Sequence, residues 1–284
     1  MTDVVVQGPA LATAQRDLIL GRFGSLAAAA ATPLRYGSGV RLRGLAAPSA
    51  SPQQAANEAF DVACVPEGAS LSGFGLLAFD MDSTLITIEC IDELADLAGI
   101  KPRVAAITLR AMRGEIPFAE SLRQRVALLG GMPQSVLARV YDERLRLSPG
   151  AETLLDTARA EGVATLLVSG GFTWFTDRLR RRLSIDRACA NSLELAEGLL
   201  TGRLEGEIFD GESKAAAVRD FARELGVPRS RIMVIGDGAN DLPMMKEAGV
   251  SIAFHAKPAV RAQADYVIDH SGLDAVLNLF PPVG

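Results

Sequence analysis

Three short apolar runs punctuate the chain, and each ends in polar residues and glycine. Gly75 to Phe79 is apolar without alternation, the pattern of a strand buried on both faces. Asp80 and Asp82 follow it. Val163 to Val168 is a second such run, ending in Ser169-Gly170-Gly171. Ile232 to Ile235 is a third, ending in Gly236-Asp237-Gly238-Ala239-Asn240-Asp241. Helical spacing fills Glu152 to Glu161, Phe172 to Leu183, Ser213 to Leu225, Leu242 to Ala248 and Gly272 to Phe280. Ser251 to Phe254 and Tyr266 to Ile268 read as further strands. Leu193 to Phe209, broken by Gly198, Gly202 and Gly206, reads as a hairpin. Repeated strand-helix order predicts an α/β fold with a parallel, doubly wound sheet.

Between the first and second runs the pattern is helical for some sixty residues. Ile91 to Ala98 stops at Gly99, Pro102 to Arg113 at Gly114, and Pro117 to Leu129 at Gly130-Gly131. Pro133 to about Arg144 is the last of the four. Four helices are too many for a plain crossover, so they read as an inserted helical cap at about residues 90–148. Ser148-Pro149-Gly150 marks the return to the core.

Residues 1–72 read as a small α+β N-terminal module, and 73–284 as the main domain. In the module, Val4 to Val6 and Val40 to Leu45 suggest strands. Leu11 to Leu20 and roughly Gln53 to Asp61 suggest helices, and the Ala-rich patch from Leu26 to Ala31 part of one. Arg41 and Arg43 alternate with apolar residues as on a half-exposed strand. Pro66 to Gly73 reads as a linker. No chemical constellation stands out in this region.

The chain has 284 residues, 49% of them hydrophobic, ample for one α/β domain with something smaller attached. Its net charge of -5 comes without a basic stripe, which argues against nucleic acid as a partner. Cys64, Cys90 and Cys189 are widely spaced and odd in number, as expected of reduced thiols in a cytoplasmic protein. The N-terminus lacks a cationic region before an apolar core, and no apolar run reaches membrane-spanning length. Neither a signal peptide nor a membrane is expected.

The strand-end groups are chemically coherent. Asp80, Asp82, Asp237 and Asp241 would place four carboxylates near one point. That implies a hard divalent cation with oxygen ligands, by default Mg²⁺. The Ser169 hydroxyl, the Gly170 and Gly171 backbone and Lys214 offer anion-binding donors. Such a set describes a phosphoryl site, in which a carboxylate can itself be the nucleophile. His255 and His270, the only histidines, have no ligand partner at useful spacing and read as structural or surface residues. Trp174 and Phe172 read as core, and Cys90 lacks a nearby base.

Asp80-Met-Asp-Ser-Thr84, Ser169-Gly-Gly171, Lys214 and Gly236-Asp-Gly-Ala-Asn-Asp241 resemble the four motifs of the haloacid dehalogenase superfamily of phosphotransferases. The resemblance runs from about Gly75 to the C-terminus and is closest to the phosphoserine-hydrolysing branch. It implies that Asp80 is the nucleophile and that Asp82 acts first as acid and then as base. It further implies that Mg²⁺ is bound by the Asp80 carboxylate, Asp237 and the backbone carbonyl of Asp82. Ser169 and Lys214 would hold the phosphate, and Asn240 and Asp241 would order the metal shell and Lys214. The implied partner is a small phosphorylated amino acid.

The same resemblance puts Glu89, Met112, Phe118 and Arg125 at the serine-recognising positions of the cap. Their chemistry agrees: Glu89 can pair with an ammonium, and Arg125 can fork onto a carboxylate. Phe118 and Arg125 are seven apart and share a helix face, and Met112 and Phe118 would form an apolar wall. Taken singly, such charges are usually solvated and such apolar residues usually core. The rival readings are action on phosphohomoserine or phosphothreonine, transfer to a second alcohol, and phosphate binding without turnover. Oligomeric state stays open, a homodimer included.

Overall fold

The computed structural model describes residues 1–9, 31–45 and 60–283. The stretches 11–20, 26–30 and 53–59, expected to be helical, lie outside the described residues, while Ala31 and Asp61 each open a strand. β1 (Thr2–Gly8), β2 (Ala31–Pro33), β3 (Ser38–Leu45) and β4 (Asp61–Pro66) form an antiparallel sheet in the order β2-β3-β1-β4.

A second sheet has the order β11-β10-β9-β5-β6-β7-β8. Its strands are β5 (Leu76–Phe79), β6 (Ala164–Phe172), β7 (Arg187–Ala196), β8 (Leu199–Glu205), β9 (Ile232–Gly236), β10 (Val250–Phe254) and β11 (Tyr266–Ile268). All neighbours pair in parallel except β7 and β8, which form the expected hairpin. The central strands lack alternation because both faces are covered. Leu77, Phe79, Met233 and Ile235 enter one apolar cluster, and Leu76, Ala78, Ile232 and Val234 the other. α5 (Ala151–Ala160) and α6 (Thr173–Leu183) cover the first face, and α7 (Gly211–Leu225) the second.

β5 lies between β6 and β9, at the point where the chain order reverses. Ligand sites of open α/β sheets form beyond the carboxyl ends of the strands at such a point. Between β5 and α5 the chain makes the cap, with α1 (Cys90–Leu97), α2 (Lys101–Met112), α3 (Phe118–Ala127) and α4 (Ser135–Arg139). After α4 the backbone widens at Val140–Arg144 instead of continuing as one helix. The two passages into and out of the cap pair with each other. The Thr87 N–H donates to the Arg146 carbonyl (3.0 Å) and the Ser148 N–H to that of Leu85 (2.9 Å).

Two expectations about the N-terminal region change. Arg41 is buried, not half-exposed, because its guanidinium has fixed partners. It pairs with Asp3 at 2.6 Å and donates to the carbonyls of Asn278 (2.6 Å) and Leu279 (2.9 Å). The segment Pro66 to Gly73 is no slack linker: Leu71 is buried, and its N–H donates to the Pro281 carbonyl at 3.1 Å. Asn278 lies in α8 (Val276–Leu279) and bridges Gln7 and the backbone of Tyr36.

Candidate active site

Asp80 sits at the first position beyond β5, its N–H donating to the Ile235 carbonyl of β9. Its Oδ1 accepts from the following N–H of Met81 (2.7 Å) and lies 2.8 Å from Lys214 Nζ. Lys214 belongs to the first turn of α7, whose start is set by Asp210, a side chain that accepts from the Ser213 N–H at 3.0 Å. The ammonium is fully buried and bridges Asp80 and Asp241, the latter at 2.7 Å. Burial works against its charge, but the two carboxylates prevail and hold its pKa above the usual lysine range.

Asp241 is the hub of the third strand end. Its Oδ1 takes the Lys214 ammonium, and its Oδ2 accepts from the N–H groups of Asp237 (3.0 Å) and Gly238 (2.9 Å). Those donors explain the glycine at 236, where a Cβ would collide with the Asp241 carboxylate. Asp237 accepts from the Thr84 hydroxyl at 3.3 Å. Burial and the nearby Asp241 charge raise it to about 6. Burial and Asp241 likewise push Asp80 well above the carboxylate range, against the pull of Lys214.

Carboxylate oxygens of Asp80, Asp237 and Asp241 lie within 4.8 Å of one another. With all three carboxylates ionised, the one buried ammonium among them leaves two negative charges in excess, which adds to burial in raising Asp80 and Asp237. Both Asp241 oxygens already accept from donors, whereas Asp80 and Asp237 each keep an oxygen without a hydrogen-bond partner among the described residues. Such a donor set fits a hard divalent cation.

Asp82 lies across the loop Met81–Leu85, where Ser83 adopts φ 57°. Its Oδ1 accepts from the Cys90 N–H at 2.9 Å, and its Oδ2 is 3.5 Å from the Ser169 hydroxyl. Burial first, then the charge of Glu89, raises its carboxyl to about 7. A carboxyl raised that far keeps its proton through the mildly acidic range. Cys90 is buried, and its thiol is pushed well up by burial and by Asp82, so it has no nucleophilic character.

Ser169, Gly170 and Gly171 form a swelling in β6. Its register against β7 shifts between Val168 and Phe172. Inside the swelling, the Gly171 N–H donates to Ser169 Oγ at 2.9 Å. A Cβ on Gly171 would come within 2.7 Å of Asp82 Oδ2, so glycine lets the backbone approach that carboxylate.

From the cap, the Phe118 ring lies over Gly170, with Cζ at 3.1 Å from where a Cβ would stand. Arg125 is half-buried. Its Nε donates weakly to the Ser121 carbonyl (3.4 Å), and its terminal nitrogens have no partner among the described residues. Burial lowers its pKa, while Asp92, Glu89 and Asp82 face it with opposite charge. Glu89 is exposed and accepts from the Ser83 hydroxyl at 2.8 Å. Met112, expected in an apolar wall, stands at the end of α2 and is 69% exposed, so the apolar contact to the core is made by Phe118. Asn240, expected beside the metal shell, is half-buried and makes no side-chain hydrogen bond among the described residues. Its amide turns back over Gly238.

Sequence reasoning gave Thr84 and Lys257 no separate role in the site and passed over Asn191. Lys257 Nζ lies 3.9 Å from Asp237, and its N–H donates to the Asp237 carbonyl. A cavity of about 510 Å³ opens elsewhere, between the antiparallel sheet and the core, lined by Gln7, Tyr36, His255 and His270 among others. His255 Nε2 there is 3.0 Å from the Ser271 carbonyl oxygen, and the His270 N–H donates to Asp61, as structural roles require. Among the described residues, no helix is long and apolar enough to cross a membrane.

Comparison with known proteins fits this geometry. The haloacid dehalogenase-like hydrolase model matches residues 77–246. A phosphoserine phosphatase of Polaromonas sp. is 55% identical over 74% of this chain and 91% of its own length. The unliganded structure of a probable phosphoserine phosphatase from Vibrio cholerae superposes with TM-score 0.80 and 36% identity, over 98% of this chain and 85% of that one. A phospho-aspartyl intermediate analogue of phosphoserine phosphatase has TM-score 0.69 and 37% identity, over 73% of this chain and 99% of that one. Three motifs at the ends of adjacent strands, a fourth in the first turn of α7, and relatives matched along most of their length lead to one conclusion: this chain belongs to the haloacid dehalogenase-like hydrolases.

Proposed function

We propose that the protein is a Mg²⁺-dependent phosphomonoesterase that hydrolyses O-phosphoserine to serine and phosphate through a phosphorylated Asp80. The observation that carries the reading is Asp80 itself, a buried carboxylate at a strand end whose Oδ1 lies 2.8 Å from a fully buried ammonium, while its Oδ2 has no partner among the described residues. The named relatives support the substrate.

The phosphate would seat among Ser169, the Gly171 N–H and Lys214, facing Asp80. Asp80 attacks phosphorus, and the bond from phosphorus to the serine oxygen breaks. Asp82, protonated because its carboxyl is raised to about 7, donates that proton to the departing oxygen. As a carboxylate it then accepts a proton from the water that cleaves the aspartyl-phosphate, which regenerates Asp80 and releases phosphate. Asp80, Asp237 and the backbone carbonyl of Asp82 would hold Mg²⁺, and Asp241 would support that shell. The cation supplies charge neutralisation for the phosphoryl oxygens.

Arg125 would bind the substrate carboxylate and Glu89 its ammonium, with Phe118 shielding the reacting centre. Met112 and Asn240 would join them only after local movement. The three cysteines are all free, in keeping with a reducing, cytoplasmic setting. We read 1–72 as an accessory module and 73–284 as the phosphatase domain. The direct test is phosphate release from a panel of O-phosphoserine, O-phosphothreonine and phosphoethanolamine, with Mg²⁺ and then with chelator. O-phosphoserine should lead the panel, and chelation should abolish release. Undiminished release after exhaustive chelation, or preference for phosphoethanolamine, would contradict the reading.

A further inference from the structure

We infer that Asn191 is a positioning residue for the phosphate pocket, one that aims the Gly171 N–H and ties it to the helix carrying Lys214. The inference rests on the phosphate-hydrolysing reading above, but not on which ester is the substrate.

Asn191 is buried in β7, directly across from Phe172, just where the β6 swelling ends. A swelling leaves backbone groups without ladder partners. Asn191 replaces one of them: its Nδ2 donates to the Gly170 carbonyl at 2.9 Å. In a trans peptide the carbonyl of one residue and the N–H of the next point in opposite directions. Holding the Gly170 carbonyl toward β7 therefore turns the Gly171 N–H away from β7. That N–H meets Ser169 Oγ, on the side where Gly171 comes closest to Asp82. Asn191 thus fixes, from behind, the direction of a pocket donor.

The rest of the amide is also used. Nδ2 donates to the Phe209 carbonyl at 3.1 Å, and Oδ1 accepts from the Phe209 N–H at 2.7 Å. Phe209 directly precedes Asp210, the residue that starts α7 and so sets Lys214. Both amide donors go to carbonyls and the oxygen takes an N–H, so the orientation of the group is fixed by its partners. One side chain joins the two phosphate-binding elements without touching the phosphate.

Asn191→Asp keeps the shape but sets a carboxylate oxygen against two carbonyls; Asn191→Ala leaves the Gly170 carbonyl and the Phe209 backbone unpaired. Breaking a buried hydrogen-bonded group costs enough to shift an equilibrium by about ten- to a hundred-fold. Inhibition by inorganic phosphate, measured with Mg²⁺ and para-nitrophenyl phosphate as reporter, should weaken by that factor in both variants, with kcat falling as well. The preference for O-phosphoserine over phosphoethanolamine should stay as in the parent, because the loss lies at the shared phosphate end. Arg125→Ala should do the reverse, changing that preference and sparing phosphate inhibition. If the parent ignores O-phosphoserine, the substrate assignment fails while the phosphate measurement still decides the role of Asn191. Should both variants misfold, the parent answers by NMR: added phosphate should shift the Asn191 side-chain amide and the Phe209 N–H together with the Gly171 N–H. Folded variants with parental phosphate inhibition, or a Gly171 shift unaccompanied by the other two, would overturn the inference.

Discussion

Asp80 and Asp82 stand two residues apart and differ in their neighbours. Lys214 sits on the first; Cys90 N–H and the field of Glu89 act on the second. Asp80→Asn should lower kcat on the order of 10³-fold or more, with the fold retained by circular dichroism. Asp82→Asn should cost about 10²- to 10⁴-fold, the range for a lost general acid, and should slow decay of the phosphorylated enzyme. Arg125 belongs to the same scale. A desolvated charge that loses its partner typically costs about 2–5 kcal/mol, so Arg125→Ala should lower kcat/KM for O-phosphoserine roughly thirty-fold or more. Phosphoethanolamine, without a carboxylate, should be nearly indifferent to that change; equal losses on both would make Arg125 a support of the cap instead. Asp80 and Asp82 were legible in the sequence because polar groups at the ends of apolar runs stand out, and Arg125 was legible only through the resemblance. Asn191 was not, since all its partners are backbone atoms, 18 to 21 positions away. Met112 was legible only through its resemblance, and its exposure shows that a motif position does not dictate burial.

At the scale of elements, the site depends on how β6 departs from a regular strand. Regular periodicity identified the run Val163 to Val168 but says nothing of a swelling, which is a property of two strands in register. The swelling yields a contrast between two glycines. Gly171→Ala sets a Cβ 2.7 Å from Asp82 Oδ2 and 3.0 Å from Ser169 Oγ, so backbone or catalytic carboxylate must move. Gly170→Ala meets only the Phe118 ring, at 3.1 Å for its nearest atom, and a ring at a cap surface can tilt. Overpacking costs about 1–3 kcal/mol. At position 171 that cost should appear as a loss of kcat/KM of about ten-fold or more, with a clearly smaller loss at 170. Comparable kcat/KM values for the two variants would mean that the close approach to Asp82 has no part in turnover.

Across the whole molecule, the carboxylates link function to stability. Asp82 is raised to about 7 and Asp237 to about 6, so the folded protein holds protons that the unfolded chain has already released. Stability of the metal-free protein should therefore fall as pH rises from about 4 toward 7. Asp82→Asn cannot ionise and should flatten that slope. A cation on Asp80 and Asp237 binds their ionised forms, so Mg²⁺ should raise the Tm more at pH 7 than at pH 5. A Tm independent of both pH and Mg²⁺ would contradict the site. The N-terminal sheet bears on the same scale. Strand patterns there were legible, but Arg41 was misread because its burial depends on carbonyls more than two hundred residues away. Val5, Ala63 and Val65 share an apolar cluster with Phe74 and Phe280. A protein shortened to begin near Ser72 should keep its catalytic groups, lose solubility and melt earlier; a soluble, folded but inactive product would give the sheet a role in the site. The most direct test of the central claim is acid quenching during turnover of O-phosphoserine labelled on phosphorus, with Mg²⁺ present, followed by mapping of the label. Label on Asp80, with free phosphate accumulating, is the expected result. Label on another residue, or no phosphate released, would contradict it.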